Sequence, residues 1–69
     1  MTVTLNGEPF MVPAALAPPT IAGLLAQLSI DPRSVAVERN FAVVKRDQYA
    51  TTTVEDGDQI EIVNFVGGG

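Results

Sequence analysis

A single apolar stripe with helical spacing is the feature that most constrains the fold of this chain. Four residues form the stripe at positions i, i+3, i+4 and i+7: Ile21, Leu24, Leu25 and Leu28. This spacing places them on one face of an amphipathic helix. Thr20 is a suitable N-cap, and the helix must stop before Asp31-Pro32 because a residue that precedes proline avoids the helical region. A lone helix with one apolar face needs a sheet to cover it, so the stripe predicts a helix packed on strands.

Strand patterns occupy the chain on both sides of the helix. Val3 and Leu5 alternate with threonines, and Asn6-Gly7, the strongest short signal for a hairpin turn, follows them. Further strands are predicted at 10–12, 35–37, 42–44 and 59–66. The order is β-β-α-β-β-β. The sequence therefore predicts an α+β fold in which a mixed sheet of about five strands wraps around one main helix. Residues 1–66 form a single domain in this prediction, and residues 67–69 form a flexible glycine tail.

Several positions carry more specific expectations. Ile60 and Ile62 alternate along the last strand and should face the core, which places Phe65 on the opposite face of the sheet. Asn40 is the residue best able to adopt a positive φ between the third and fourth strands. We expect Tyr49 to act as a lid on the core.

Composition limits the functions that the chain can perform. Its 69 residues contain no cysteine and no histidine, which excludes disulfide bonds and thiolate or imidazole metal sites. The net charge of −4 disfavours nucleic-acid binding, which needs clustered lysine and arginine. The N-terminal residues lack a basic region and a long apolar run, and no stretch approaches a membrane span, so we expect no signal peptide and no membrane association.

The polar side chains predict no catalytic or metal site. Ser29 and Ser34 have no base to activate them, and in a core this small the carboxylates are expected to stay too exposed to act as general acids. The acidic run at 55–58 is too short for a calcium loop and is interpreted as a solvated turn. Lys45 and Arg46 are able to pair with acids on a partner, although exposed cations at a strand end are usually just solvated.

One reactive group remains, the α-carboxylate of Gly69 at the end of the sequence. It is ionised at neutral pH and is a poor electrophile until another enzyme converts it to a mixed anhydride, for example with AMP. A chain of three glycines is slim enough to thread a narrow channel and extends roughly 10 Å beyond the fold. The alternative interpretation is a disordered tail with no function.

The segment VAVERNFAVVKRDQYATTTVEDGDQIEIVNFVGGG at residues 35–69 resembles the ThiS family of thiamine-biosynthesis sulfur carriers. The opening strand with its Asn6-Gly7-Glu8-Pro9 turn and the helix TIAGLLAQL also match, so the resemblance covers essentially the whole chain. It implies a ubiquitin-like β-grasp fold without catalysis of its own.

The resemblance also implies a set of partners and a role for the tail. A ubiquitin-activating-type adenylyltransferase uses ATP to adenylate the last glycine, sulfur from a cysteine desulfurase-derived donor replaces the AMP, and the resulting C-terminal thiocarboxylate gives its sulfur to thiazole synthase. On this chain, Gly69 carries the sulfur, and Gly67 and Gly68 thread into the partner's active site. No cofactor is bound by the carrier itself. The implied location is the cytoplasm, and a monomer is the default.

The chain departs from the usual family pattern at Phe41, Lys45 and Tyr49, where glycine, proline and tryptophan are common. These departures affect partner details around one hairpin rather than the chemistry of the tail. A docking surface beside the tail is predicted on four apolar residues: Phe41, Val63, Phe65 and Val66. The alternative for Val63 and Phe65 is that the twist of the sheet or nearby loops cover them.

Other functions remain open at this point. The small subunit of molybdopterin synthase resembles this fold and shares the Gly-Gly end, although it is typically longer. A ubiquitin-like tag that is joined to lysines and a passive β-grasp interaction module are two further classes.

Overall fold

Five strands form one mixed sheet in the order β2-β1-β5-β3-β4. The computed structural model describes residues 1–65. Its regular elements are β1 Thr2–Leu5, β2 Glu8–Met11, α1 Ile21–Gln27, β3 Val35–Arg39, β4 Ala42–Val44 and β5 Gln59–Asn64, with 3₁₀ turns at Pro32–Ser34 and Arg46–Gln48. β5 lies at the centre, parallel to β1 and antiparallel to β3. Each flanking pair is a hairpin, so the predicted α+β architecture and element order are confirmed.

The apolar stripe of α1 covers one face of this sheet, as predicted. Leu28 is partly buried, and the other three stripe residues are buried against the inward-facing residues of the strands. The buried apolar core consists of Val3, Val12, Ile21, Leu24, Leu25, Val35, Val37, Val44, Tyr49, Val54 and Ile60. Ile62 packs against this core, so the predicted inward parity of Ile60 and Ile62 is confirmed.

The segment between the Arg46–Gln48 turn and β5 is tied to the start of α1. The first N–H groups of a helix have no partner within it. Here the N–H groups of Ile21 and Ala22 donate to the carbonyls of Thr52 and Tyr49, at 3.0 and 2.9 Å. Thr20 caps the helix, as predicted, because its hydroxyl accepts from the N–H of Gly23 at 3.0 Å. The 49–54 segment therefore takes part of its shape from the helix N-terminus. Among residues 1–65, no helix is long and apolar enough to cross a membrane.

Element boundaries differ from the predictions at three strands. β2 runs over Glu8–Met11 and not 10–12, although Val12 is buried and its N–H donates to the carbonyl of Met1 at 2.9 Å. Pro9 is tolerated because β2 is an edge strand. β3 continues to Arg39, and β5 ends at Asn64.

Candidate functional site

The candidate site lies where the chain leaves β5. The N–H of Phe65 donates to the carbonyl of Ser34 at 3.0 Å, so the backbone remains held to the start of β3 one residue beyond the strand. The predicted roles of Val66, Gly67, Gly68 and Gly69 lie outside the residues that the structure describes. The described part of the site is therefore the platform from which this segment departs.

An exposed apolar patch covers the outer face of the sheet at this end. Val63 and Phe65 are 58% and 52% exposed, and Val43 on the edge strand is 73% exposed. Ala36 pairs with Val63 and is half-buried. We call these four residues the apolar patch. The twist of the sheet does not cover Val63 and Phe65, so the alternative that they are covered is wrong.

Phe41 does not belong to this patch. It is 76% exposed but lies in the turn between β3 and β4, at the opposite end of β3 from Ser34. About five strand residues, or roughly 17 Å, separate the two ends. The structure therefore does not place Phe41 beside Phe65. Its φ of 69° follows the φ of 52° at Asn40, which confirms the positive φ predicted for Asn40 and adds a second one.

A groove of about 280 Å³ opens beside the apolar patch. It is lined by Val35, Ala36, Val37, Val43, Val44, Lys45, Arg46, Tyr49 and Phe65. The groove is open because β4 ends at Val44, which pairs with Val37, and the chain then forms the Arg46–Gln48 3₁₀ turn. The first two residues of β3 therefore have no partner on β4. Tyr49 is buried under it, and its hydroxyl donates to the carbonyl of Val35 at 3.4 Å, which confirms the predicted lid. Lys45 and Arg46 are exposed at its rim.

The acidic turn at 55–58 is solvent-exposed at Glu55, Asp56 and Gly57, as predicted, but not at Asp58. Asp58 is only 6% exposed. Its carboxylate accepts from Arg39 Nε at 2.6 Å, from the N–H of Glu55 at 2.8 Å and from Asn40 Nδ2 at 3.0 Å. Burial alone favours a neutral carboxyl, but these three donors outweigh it and hold the pKa of Asp58 below its usual value of 3.8. Asp58 is therefore a structural anion that joins the β3–β4 turn to the start of β5.

The described side chains offer recognition surfaces rather than reactive centres. Within residues 1–65, no three carboxylates converge in a way that would hold a metal ion. Asp58 is saturated by its donors, and its lowered pKa makes it a poor proton donor at neutral pH. The surface that remains near the end of β5 is apolar, with two cations at its edge.

A five-stranded mixed sheet that grasps one helix, with a central last strand that ends beside an exposed apolar patch, defines a ubiquitin-like β-grasp domain. The model of the ThiS family matches residues 3–69. The chain belongs to the ThiS family.

Relatives and solved structures agree with this assignment. The chain is 48% identical over all 69 residues to a thiazole synthase of Magnetococcus marinus. It spans 20% of the length of the two thiazole synthases that it matches. It is 44% identical to the sulfur carrier protein ThiS of Bacillus subtilis over 50 residues, which are 72% of this chain and 76% of that protein. A crystal structure of the thiamine biosynthesis protein ThiS from Geobacter metallireducens superposes with a TM-score of 0.83 at 38% identity, and the match covers 100% of both chains.

Sequence reasoning missed two features of this site. Val43 belongs to the apolar patch because successive residues of a strand point to opposite faces of the sheet, and its neighbour Val44 is buried on the inner face. The period of two in the strand was therefore the signal that could have identified Val43. The burial of Asp58 had no local signal, because its partners Arg39 and Asn40 come from positions 19 and 18 residues earlier.

Proposed function

We propose that this chain is a sulfur carrier protein of thiamine biosynthesis and that the carboxylate of Gly69 carries the sulfur. The observation that supports this most is the family match, which extends through residue 69 and so includes all three glycines. The relatives are thiazole synthases and a ThiS sulfur carrier protein, which favours the thiamine pathway over molybdopterin synthesis. The chain acts as a carrier for partner enzymes and not as a catalyst, and it works in the cytoplasm.

The proposed chemistry takes place on the terminal carboxylate inside partner active sites. An adenylyltransferase of the ubiquitin-activating type binds ATP, and a carboxylate oxygen of Gly69 attacks the α-phosphorus while pyrophosphate leaves. The outer sulfur of a persulfide on a cysteine desulfurase-derived donor then attacks the acyl carbon and displaces AMP. A thiol reduces the resulting acyl disulfide, which leaves a thiocarboxylate on Gly69 and a disulfide on the donor side. Thiazole synthase takes the sulfur from this thiocarboxylate. The carrier itself binds no cofactor, because ATP is bound by the activating partner.

Gly67 and Gly68 suit the path to such an active site. Without Cβ atoms they fit a narrow channel and allow the backbone to lie close to a nucleotide. The apolar patch at the end of β5 serves as the docking surface that holds the globular part outside the channel. Val66 is assigned a docking role as well, and Phe41 is a separate contact at the far end of the β3–β4 hairpin.

The experiment that tests the function is the intact mass of the protein after incubation with ATP, the activating enzyme and a cysteine-derived sulfur source. We expect a shift equal to the replacement of one oxygen by sulfur, and we expect deletion of Gly69 to abolish it. No shift and no AMP adduct, with enzymes that are active on another carrier, would refute the proposal.

The same assay tests the docking patch. Phe65→Asp is expected to abolish adenylation by the activating enzyme while the domain remains folded, because a carboxylate in the patch must be desolvated on docking. Met11→Asp is the matched control, since Met11 is also exposed and lies on the outer face at the distant edge strand β2. Loss of the fold in Phe65→Asp, or adenylation at the normal rate, would contradict a docking role.

Two other outcomes would point to another function class. A passive interaction module would keep its function after deletion of Gly68 and Gly69. A protein tag would form isopeptide adducts on lysines of other proteins, which denaturing electrophoresis detects.

A further inference from the structure

Basic residues concentrate at the end of the sheet from which the chain leaves β5. Of the four in the sequence, Arg33, Lys45 and Arg46 lie there. The Arg46 guanidinium donates to the carbonyl of Arg33 at 3.4 Å, and Lys45 and Arg46 line the groove together with Phe65. The fourth, Arg39, is held by Asp58 at the opposite end of β3.

Half of the eight acidic residues lie away from this end of the sheet, on β2 or in the 55–58 turn. Glu38 pairs with Val43 and Glu61 pairs with Glu38, so these two adjoin the apolar patch on the outer face. Asp31 and Asp47 lie near the end of the sheet itself. Asp31 pairs with Arg33 at 3.2 Å. The ion pairs formed within residues 1–65 involve neither Lys45 nor Arg46, and both side chains are exposed. A chain of net charge −4 therefore presents two available cations beside its apolar patch.

The Lys45 and Arg46 side chains begin at the groove beside Phe65, whereas the reacting carboxylate is four residues further along the chain, up to about 13 Å away if they are extended. The two cations are therefore better placed to meet the mouth of the partner's channel than the reacting atom inside it.

We propose that Lys45 and Arg46 dock against carboxylates at the rim of the adenylating partner's channel. The apolar patch, which lies beside these two cations at the end of β5, contacts the partner in the same complex. This inference rests on the proposed function. An acidic carrier that delivers a carboxylate to a site holding a nucleoside triphosphate approaches a like-charged region, which slows association. A basic end on the carrier and an acidic rim on the partner offset this repulsion and orient the tail toward the channel.

Charges at the rim of an interface act chiefly on the association rate and on its dependence on salt. Lys45→Gln and Arg46→Gln should each lower kcat/KM for adenylation by roughly twofold to fivefold, with kcat at saturating carrier unchanged. Raising the salt concentration should lower kcat/KM for the unmodified carrier. The double variant should show little of this decrease. Gln59→Glu is the matched control, because it also lowers the net charge by one but lies at the opposite end of β5.

The experiment measures AMP–carrier formation against carrier concentration at low and high salt, with thermal unfolding to show that every variant is folded. An unchanged kcat/KM and salt dependence in the double variant, with adenylation still abolished by deletion of Gly69, would overturn the inference and leave the proposed function standing. A decrease in kcat/KM of equal size in Gln59→Glu would show that net charge alone causes the effect. This outcome would also overturn the inference. Normal adenylation with impaired sulfur transfer to thiazole synthase would assign the cations to that partner instead. Absence of AMP adducts on the unmodified carrier would refute both the proposed function and the inference.

Discussion

The two hairpin turns of this domain share positive φ angles at both loop positions but have different second residues. Each is a two-residue loop with positive φ at both positions, as a type I′ turn requires: 49° and 86° at Asn6-Gly7, and 52° and 69° at Asn40-Phe41. In both, the asparagine side chain bonds to β5. Asn6 exchanges two bonds with the backbone of Ile62, and Asn40 Oδ1 accepts from the N–H of Gln59 at 2.9 Å. The two turns therefore clamp the central strand from both sides.

The difference between the turns shows how an unfavourable residue is tolerated. Glycine adopts a positive φ at no steric cost, whereas a residue with a Cβ pays roughly 1–2 kcal/mol there. The Asn6-Gly7 turn has glycine at its second position and is held by the bonds of Asn6 to β5. The Asn40-Phe41 turn is held in addition by the buried carboxylate of Asp58, which binds Asn40 and Arg39. We infer that this network offsets the strain at Phe41.

Asp58→Asn should have the largest effect and should act on one turn alone. Breaking a largely buried ion pair typically costs about 3–5 kcal/mol, and asparagine keeps one acceptor, so we expect a loss of about 3 kcal/mol in the free energy of unfolding. Urea denaturation measures the loss. Backbone amide chemical shifts should change at Asn40 and Phe41 but not at Asn6.

Asp56→Asn is the matched control for this change. Asp56 lies in the same turn, but its carboxylate is exposed and accepts only from the N–H of Thr2 at 2.9 Å. A loss of about 1 kcal/mol or less is expected. Equal losses in the two variants would mean that the Asp58 network adds nothing to the second turn.

Acid should weaken the Asp58 network selectively. Because the folded pKa of Asp58 lies below its ordinary value of 3.8, its contribution to stability is fully present above that value and is lost as pH falls through the folded pKa. Unfolding measured between about pH 7 and about pH 2 should therefore show a smaller acid-dependent loss in Asp58→Asn than in the unmodified protein. Identical pH profiles for the two proteins would show that Asp58 contributes nothing to the loss of stability in acid.

The two turn asparagines should differ in a graded way. Asn6→Ala removes two neutral bonds and a residue that tolerates positive φ, at a cost of about 2 kcal/mol. Asn40→Ala removes one neutral bond and one bond to the buried carboxylate, which is worth more, so we expect a cost between that of Asn6→Ala and that of Asp58→Asn. Urea denaturation of both variants tests the order. A larger loss in Asn6→Ala would show that the first clamp is the stronger one.

The period of two along a strand explains why much of the fold and of the apolar patch could be predicted. It separates Ile60 and Ile62 from Val63 and Phe65 without any knowledge of neighbouring strands, and the observed burial follows it. In the first turn, the Asn6-Gly7 pair indicates the positive φ angles directly. In the second turn only Asn40 gives such a local signal, because Phe41 is a residue that disfavours positive φ and the compensating Asp58 lies 17 residues later in the chain.

The position of Phe41 relative to the end of β5 was beyond sequence reasoning for a similar reason. Strand pairing decides which end of the sheet each turn occupies, and the pairing of Ala36 with Val63 places the end of β5 far from Asn40. The groove beside Phe65 likewise depends on where β4 stops, which the apolar pattern of residues 42–44 does not show.

The smallest expected effect is the most informative about function. Phe41→Gly should raise the free energy of unfolding by about 1 kcal/mol, because glycine adopts a positive φ without the strain that a Cβ causes. Removal of the aromatic ring should cost little packing energy, since the ring is exposed. Gly7→Ala should lower it by about 1 kcal/mol, since an added Cβ at Gly7 meets no atom within 4 Å and only the backbone cost remains. Thermal unfolding of both variants tests this opposition.

Strain at an exposed aromatic residue points to a contact that function requires. If Phe41 contacts a partner, Phe41→Gly is more stable and yet gives a lower kcat/KM for adenylation or for sulfur transfer, whereas Gly7→Ala leaves both rates unchanged at temperatures where it is folded. A more stable Phe41→Gly variant with unchanged rates in both steps would exclude Phe41 from docking.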